Sequence, residues 1–106
     1  MSNKKYVEIT LDKPRRLLLD MNAMAAFEKA TEKNFFKFAA NISEMSVTDL
    51  RAFLWACLLH DDKTLTLEVV GDIIGFANID EINAKLAEAM TANAPISSGE
   101  NKSPLA

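Results

Sequence analysis

Leu50-Arg-Ala-Phe-Leu-Trp-Ala-Cys-Leu-Leu-His-Asp-Asp62 decides how this chain is read, because it holds the only Trp, Cys and His of the 106 residues. At about 100° per residue, Leu50, Phe53, Leu54 and Cys57 share one side of a helix. Trp55, Leu59 and Ala52 lie nearly opposite, and Ala56 and Leu58 fill most of what remains. A helix apolar all round is either the middle of a core or one side of an interface. The competing reading is chemical. Cys57 and His60 stand three residues apart, a spacing that puts a thiol and an imidazole on one helix face.

The chemical reading has little around it. A nucleophilic thiol needs a depressed pKa and partial exposure, whereas Phe53, Leu54 and Leu58 would desolvate Cys57 and make it a small hydrophobe. His60 falls at the helix end, where the dipole favours an imidazolium. Metal binding wants three or four ligands in defined spacing, and the consecutive side chains of His60-Asp61-Asp62 diverge. An EF-hand from Asp61 fails too. Lys63 and Leu65 occupy ligand positions, and the bidentate Glu is missing. There is no Gly-x-Gly-x-x-Gly, P-loop, Gly-x-Ser-x-Gly or Cys-x-x-Cys. With no convergent acid/base pair to nominate, neither an enzymatic activity nor a cofactor is expected.

Outward from the quoted helix, Ser46-Val-Thr-Asp49 is a capping pattern that opens it at about Val47 and runs it to His60. Thr66 repeats the device for a helix with Leu67, Val70, Ile73 and Ile74 on one side, stopped at Gly75. Gly71 within that pattern favours close helix packing. Asp80 caps a last helix to about Ala92, with Ile79, Ile82, Leu86, Ala89 and Met90 recurring at three- and four-residue steps. Upstream, Asp20 or Asn22 caps a helix over about residues 21–33, facing Ala23, Met24, Phe27, Ala30 and Thr31 inward. A shorter helix over about Asn34–Ile42 gathers Phe35, Phe38, Ala39 and Ile42, leaving Phe36 and Ala40 pointing elsewhere.

Tyr6-Val-Glu-Ile-Thr-Leu11 alternates with period two, and Arg15-Arg-Leu-Leu-Leu-Asp20 is a second short strand candidate. Asp12-Lys-Pro-Arg15 between them supplies turn chemistry. A two-stranded hairpin is barely stable alone, so its apolar face should lie on the helices. The expected fold is therefore α+β and mainly α, an N-terminal β-hairpin packed on a small bundle of four to five helices. One domain over residues 1–94 is expected, with residues 95–106 a disordered tail poor in large apolar groups.

Bulk properties agree with one small core: about half the residues are apolar. One cysteine makes no internal disulfide, so a reducing cytoplasm fits. Charges from Lys4 onward argue against a secretory signal, and no apolar run approaches the ~18 residues of a membrane span. The net charge of -3 is unevenly spread. Residues 1–37 carry eight basic and five acidic side chains, and residues 38–106 carry four and ten. That asymmetry hints at attraction between copies. Lys13-Pro-Arg-Arg16 is too thin a footprint for nucleic acid. Nor does the helix pair 47–60 and 67–75 suit DNA, because Leu67-Glu-Val-Val-Gly-Asp-Ile-Ile74 presents acids and no base to a groove.

Three stretches together resemble a known family. Arg15-Arg-Leu-Leu-Leu-Asp-Met-Asn-Ala-Met-Ala-Ala-Phe-Glu28, Leu50-Arg-Ala-Phe-Leu-Trp-Ala-Cys-Leu-Leu-His-Asp61 and Leu65-Thr-Leu-Glu-Val-Val-Gly-Asp-Ile-Ile74 look like the small tail assembly chaperones of tailed phages, prophages and gene transfer agents. The likeness spans most of residues 15–90. The chain departs from the family pattern at Cys57, where Gly is expected, and at Val69, where Glu is expected; the second change adds apolar surface. The resemblance implies a non-enzymatic role in the host cytoplasm. The protein would hold a long, apolar, helical tape-measure protein soluble, help recruit tail-tube subunits, and leave before the virion is mature. It also implies self-association into a homo-oligomer. The alternative is a structural virion component, such as a tail-completion or connector protein.

Trp55 and Leu59, with Phe36, are the expected partner-contact residues, as large apolar groups beyond the core stripe are typical interface anchors. The other reading of Trp55 is that it completes the domain's own core.

Overall fold

The computed structural model describes residues 5–92. Strand β1 (Val7–Thr10) pairs antiparallel with β2 (Pro14–Leu17), Val7 opposite Leu17 and Ile9 opposite Arg15. Period-two alternation puts Val7, Ile9 and Leu17 on the inner face, where they are buried against the helices. Arg15 shares that face and is also buried. Its guanidinium is neutralised by a bidentate pair to Asp12 of the turn, Nε–Oδ1 2.8 Å and Nη2–Oδ2 2.9 Å, with Asp62 farther off at 3.9 Å. Strand pairing stops at Leu17, short of the expected Asp20. There the backbone N–H of Leu18 turns away to donate to the carbonyl of Cys57 at 3.0 Å, and Leu18 and Leu19 enter the core as irregular chain.

Helix α1 (Met21–Thr31) starts where Asp20 Oδ1 accepts from the Ala23 N–H at 2.9 Å. It ends earlier than the expected residue 33 because Glu32 adopts a left-handed conformation, φ 62°, that stops propagation. Ala23 and Phe27 face inward as expected, whereas Ala30 is exposed. Helix α2 (Phe35–Ala40) is capped by Asn34 Oδ1 on the Lys37 N–H and tied to α1 by the Phe35 N–H on Glu28 Oε2 at 2.8 Å. A 3-10 turn follows at Ile42–Glu44.

Helix α3 (Val47–Leu58) opens as read, Ser46 Oγ accepting from the Asp49 N–H at 3.1 Å. Leu50, Ala52, Phe53, Leu54, Ala56, Cys57 and Leu58 are all buried. The helix apolar all round is thus the middle of this domain's core. The rings of Phe27, Phe35 and Phe38 surround Phe53 at centroid separations of 5.5 to 6.1 Å. Complete burial of a side chain such as Leu54 contributes roughly 1.5–3 kcal/mol, so this helix alone gathers a large share of the hydrophobic stabilisation.

Helix α4 (Leu67–Ile73) is capped by Thr66 and ends without a left-handed residue, so Gly75 is not the stop signal its position suggested. The Asn78 side chain instead accepts from the Gly75 N–H and donates to the Ile73 carbonyl. Helix α5 (Ile79–Ala92) begins before Asp80, which therefore lies inside the first turn and is not its cap. Ile82, Leu86 and Ala89 of α5 are buried in the core, and α5 packs on the hairpin. The expected tail at 95–106 lies outside the described residues.

The uneven charge is used within the chain. Lys33 reaches Asp49 at 2.8 Å, and Arg16 and Arg15 approach Asp61 and Asp62. These N-terminal cations thus meet C-terminal acids within one molecule.

Candidate functional site

The pair that raised a chemical reading does not meet as a pair. Cys57 is completely buried, and burial, reinforced by the Asp20 carboxylate, pushes its thiol well above the ordinary 9.0. His60 turns the other way. Its Nε2 lies 2.8 Å from the Arg16 carbonyl, so the ring donates from Nε2, and it packs against the Tyr6 ring at 5.1 Å. Arg16 lies over the other partner, its guanidinium carbon 4.6 Å from the Tyr6 centroid. These contacts fasten the hairpin to the end of α3. Among the described residues no group of three or more His, Cys, Asp or Glu side chains could hold a metal ion. No helix among them is long and apolar enough to cross a membrane.

The three expected contact residues fall in different surroundings. Trp55 is partly buried, and its indole Nε1 donates to the Leu65 carbonyl at 3.0 Å. Leu59 is also partly buried and lines a recess of about 390 Å³ with Tyr6, Leu18, Ala56 and Lys63. Trp55 and Leu59 lie one turn apart on the same side of the α3 axis, the Leu59 N–H donating to the Trp55 carbonyl. Phe36 is not brought to them. It stands exposed on α2, beside Phe35, on the side of α3 taken by Phe53.

The least buried stripe of α3 runs Val47, Arg51, Trp55, Leu59 at four-residue steps. Helix α4 lies along it. Trp55 meets Leu65 at one end, and farther along, a Cβ at Gly71 would sit 3.1 Å from Arg51 Cδ. Gly71 thus allows the close approach expected of it. Under α4 the Arg51 Nε is buried without a hydrogen-bond partner, and the α4 carboxylates Glu68 and Asp72 form no ion pair with it.

The large apolar groups that do face solvent were mostly not anticipated. Phe76 is 100% exposed, Val47 80% and Met21 70%, and Val69 is half-exposed on the outer side of α4. Val69 had a signal: it is the departure from Glu noted in the family resemblance. Phe76 had none, because a lone Phe in an irregular stretch has no periodicity to read. A more apolar recess, again about 390 Å³, opens between the 3-10 turn and α5, lined by Ile42, Met45, Phe53, Leu86 and Met90.

Comparison with protein-family models, curated proteins and solved structures finds no match for this chain.

Proposed function

We propose that this protein is a non-enzymatic tail assembly chaperone of a phage or prophage, which binds apolar helical segments of a tape-measure protein in the host cytoplasm and helps tail-tube subunits gather around it. The observation that carries the reading is that large apolar side chains face solvent on a domain whose core is already complete. Phe76, Val47, Phe36 and Met21 are exposed while α3 is buried on nearly all sides by its own chain. Such side chains supply exposed apolar surface through which another protein can be held. Met45 and Met90 beside the apolar recess add adaptable, polarisable contacts, suited to a client that presents one apolar helix segment after another. Self-association belongs to the same proposal.

The test is co-expression with the tape-measure protein that the reading expects to be encoded nearby. The reading expects the client in the soluble fraction only when this chain is present. It also expects mass spectrometry of purified mature tails to find the tube and tape-measure proteins without it; persistence in mature tails would favour a structural component.

A further inference from the structure

The outer stripe of α3 is occupied by a helix, and that helix is poorly secured. Helix α4 has seven residues, well short of the ~12–15 that an isolated helix needs to be even marginally stable. It packs chiefly on α3 and has one fully buried side chain, Val70. It also covers a cost. Arg51 Nε is buried beneath it without a partner, and Gly71 is what lets the backbone close over the arginine stem.

We propose that α4 is a displaceable stand-in for a partner's helix, and that the partner is an amphipathic helix carrying a carboxylate that pairs with Arg51. The seated helix states the chemistry its replacement must have. Leu67, Val70 and Ile74 give the apolar spacing toward α3, and Gly71 marks where a small residue must face the arginine. What α4 lacks is an acid engaged with Arg51. An incoming carboxylate could take Nε and a terminal nitrogen side by side, the strongest geometry a guanidinium offers. Trp55, freed from the Leu65 carbonyl, would lie against the same partner. This inference rests on the proposed binding of helical clients and names where one class of segment docks.

The experiment uses the full chain and two Trp-free helical peptides with the Leu-x-x-Val-Ala-x-x-Ile face. They are identical except for Glu or Gln four residues after the Ala, a position on the arginine-facing side where α4 carries no acid, and Trp55 emission reports binding. Wild type is expected to bind the Glu peptide about tenfold more tightly than the Gln peptide, and Arg51→Met to abolish that preference. Gly71→Leu, which crowds Arg51 and loosens α4, is expected to tighten both by about tenfold, because less of the protein is held closed. Should that variant fold poorly, hydrogen exchange on wild type carries the same claim: α4 amides are expected to exchange far faster than those of α3. Equal exchange in α3 and α4, no peptide response, or a Glu preference that survives in Arg51→Met would overturn the proposal. So would a second copy inserting its own α4, seen on light scattering as an oligomer that the Glu peptide dissociates. Peptide binding without any effect on tape-measure solubility would instead sink the proposed function and leave this inference standing.

Discussion

The indole Nε1 of Trp55 donates to the main-chain carbonyl of Leu65 at 3.0 Å, joining the middle of α3 to the residue that precedes the α4 cap. Trp55→Phe keeps an aromatic ring and removes the donor together with part of the indole's packing volume. The expected cost is about 1–2 kcal/mol of unfolding free energy, with the helical circular dichroism unchanged, measured by urea titration of both proteins.

Arg51 gives an opposite expectation. Its Nε is buried without a partner, so Arg51→Met keeps the packing stem and removes the orphaned donor. Stability is expected to rise by about 1 kcal/mol, seen as a higher urea midpoint at unchanged slope. A fall in the midpoint would mean that the guanidinium is satisfied in solution.

Cys57 is a core residue and should behave as one. In native protein a thiol reagent such as Ellman's is expected to leave it unmodified over hours, and to react within seconds once denaturant is added. Cys57→Ser places a hydroxyl in the same apolar site and is expected to cost about 2 kcal/mol more than Cys57→Ala. Rapid labelling of the folded protein would contradict the burial.

Stability should depend on pH at both extremes. Burial opposes ionisation of Asp49, but the Lys33 ammonium at 2.8 Å and the Ser46 backbone and hydroxyl outweigh it and hold the carboxyl below the ordinary 3.8. Asp12 is lowered by Arg15, and Asp62 by Thr64. For such groups the folded state binds fewer protons than the unfolded one, so their contribution is intact above 3.8 and is lost as pH falls through the lower native values. Cys57 acts in the alkaline limb. Its thiol stays protonated in the fold while the unfolded chain ionises near 9.0, so stability declines above that pH. Thermal unfolding from pH 2 to 10.5 is expected to show a plateau between the limbs, and Cys57→Ala to flatten the alkaline one.

Most of the architecture was legible because it follows from local chemistry. Ser46, Thr66 and Asp20 announced helix starts through side chains that can reach back to orphan N–H groups, and the hairpin followed from alternation around Pro14. The boundaries that differed depended on tertiary partners. Leu18 leaves the strand for the Cys57 carbonyl, Asn78 takes over the turn assigned to Gly75 and Asp80, and Glu32 ends α1 in a conformation its side chain does not advertise. The candidate site was only half legible. A period-based reading separates Trp55 and Leu59 from the core stripe, but no local signal says that α4 lies on them, since that contact depends on chain separated by a turn. Phe76 carries no periodic signature at all.

The claim on which the functional reading stands is that this domain keeps an apolar helical client in solution through its exposed apolar groups. The most direct measurement is the soluble fraction of a tape-measure protein co-expressed with wild type or with the double variant Val47→Asp, Phe76→Asp. These two positions are 80% and 100% exposed, so the variant should keep its fold. The account predicts that wild type holds the client soluble and that the variant, folded by circular dichroism, loses most of that effect. A client that stays equally soluble with the folded variant, or precipitates equally with wild type, would contradict it.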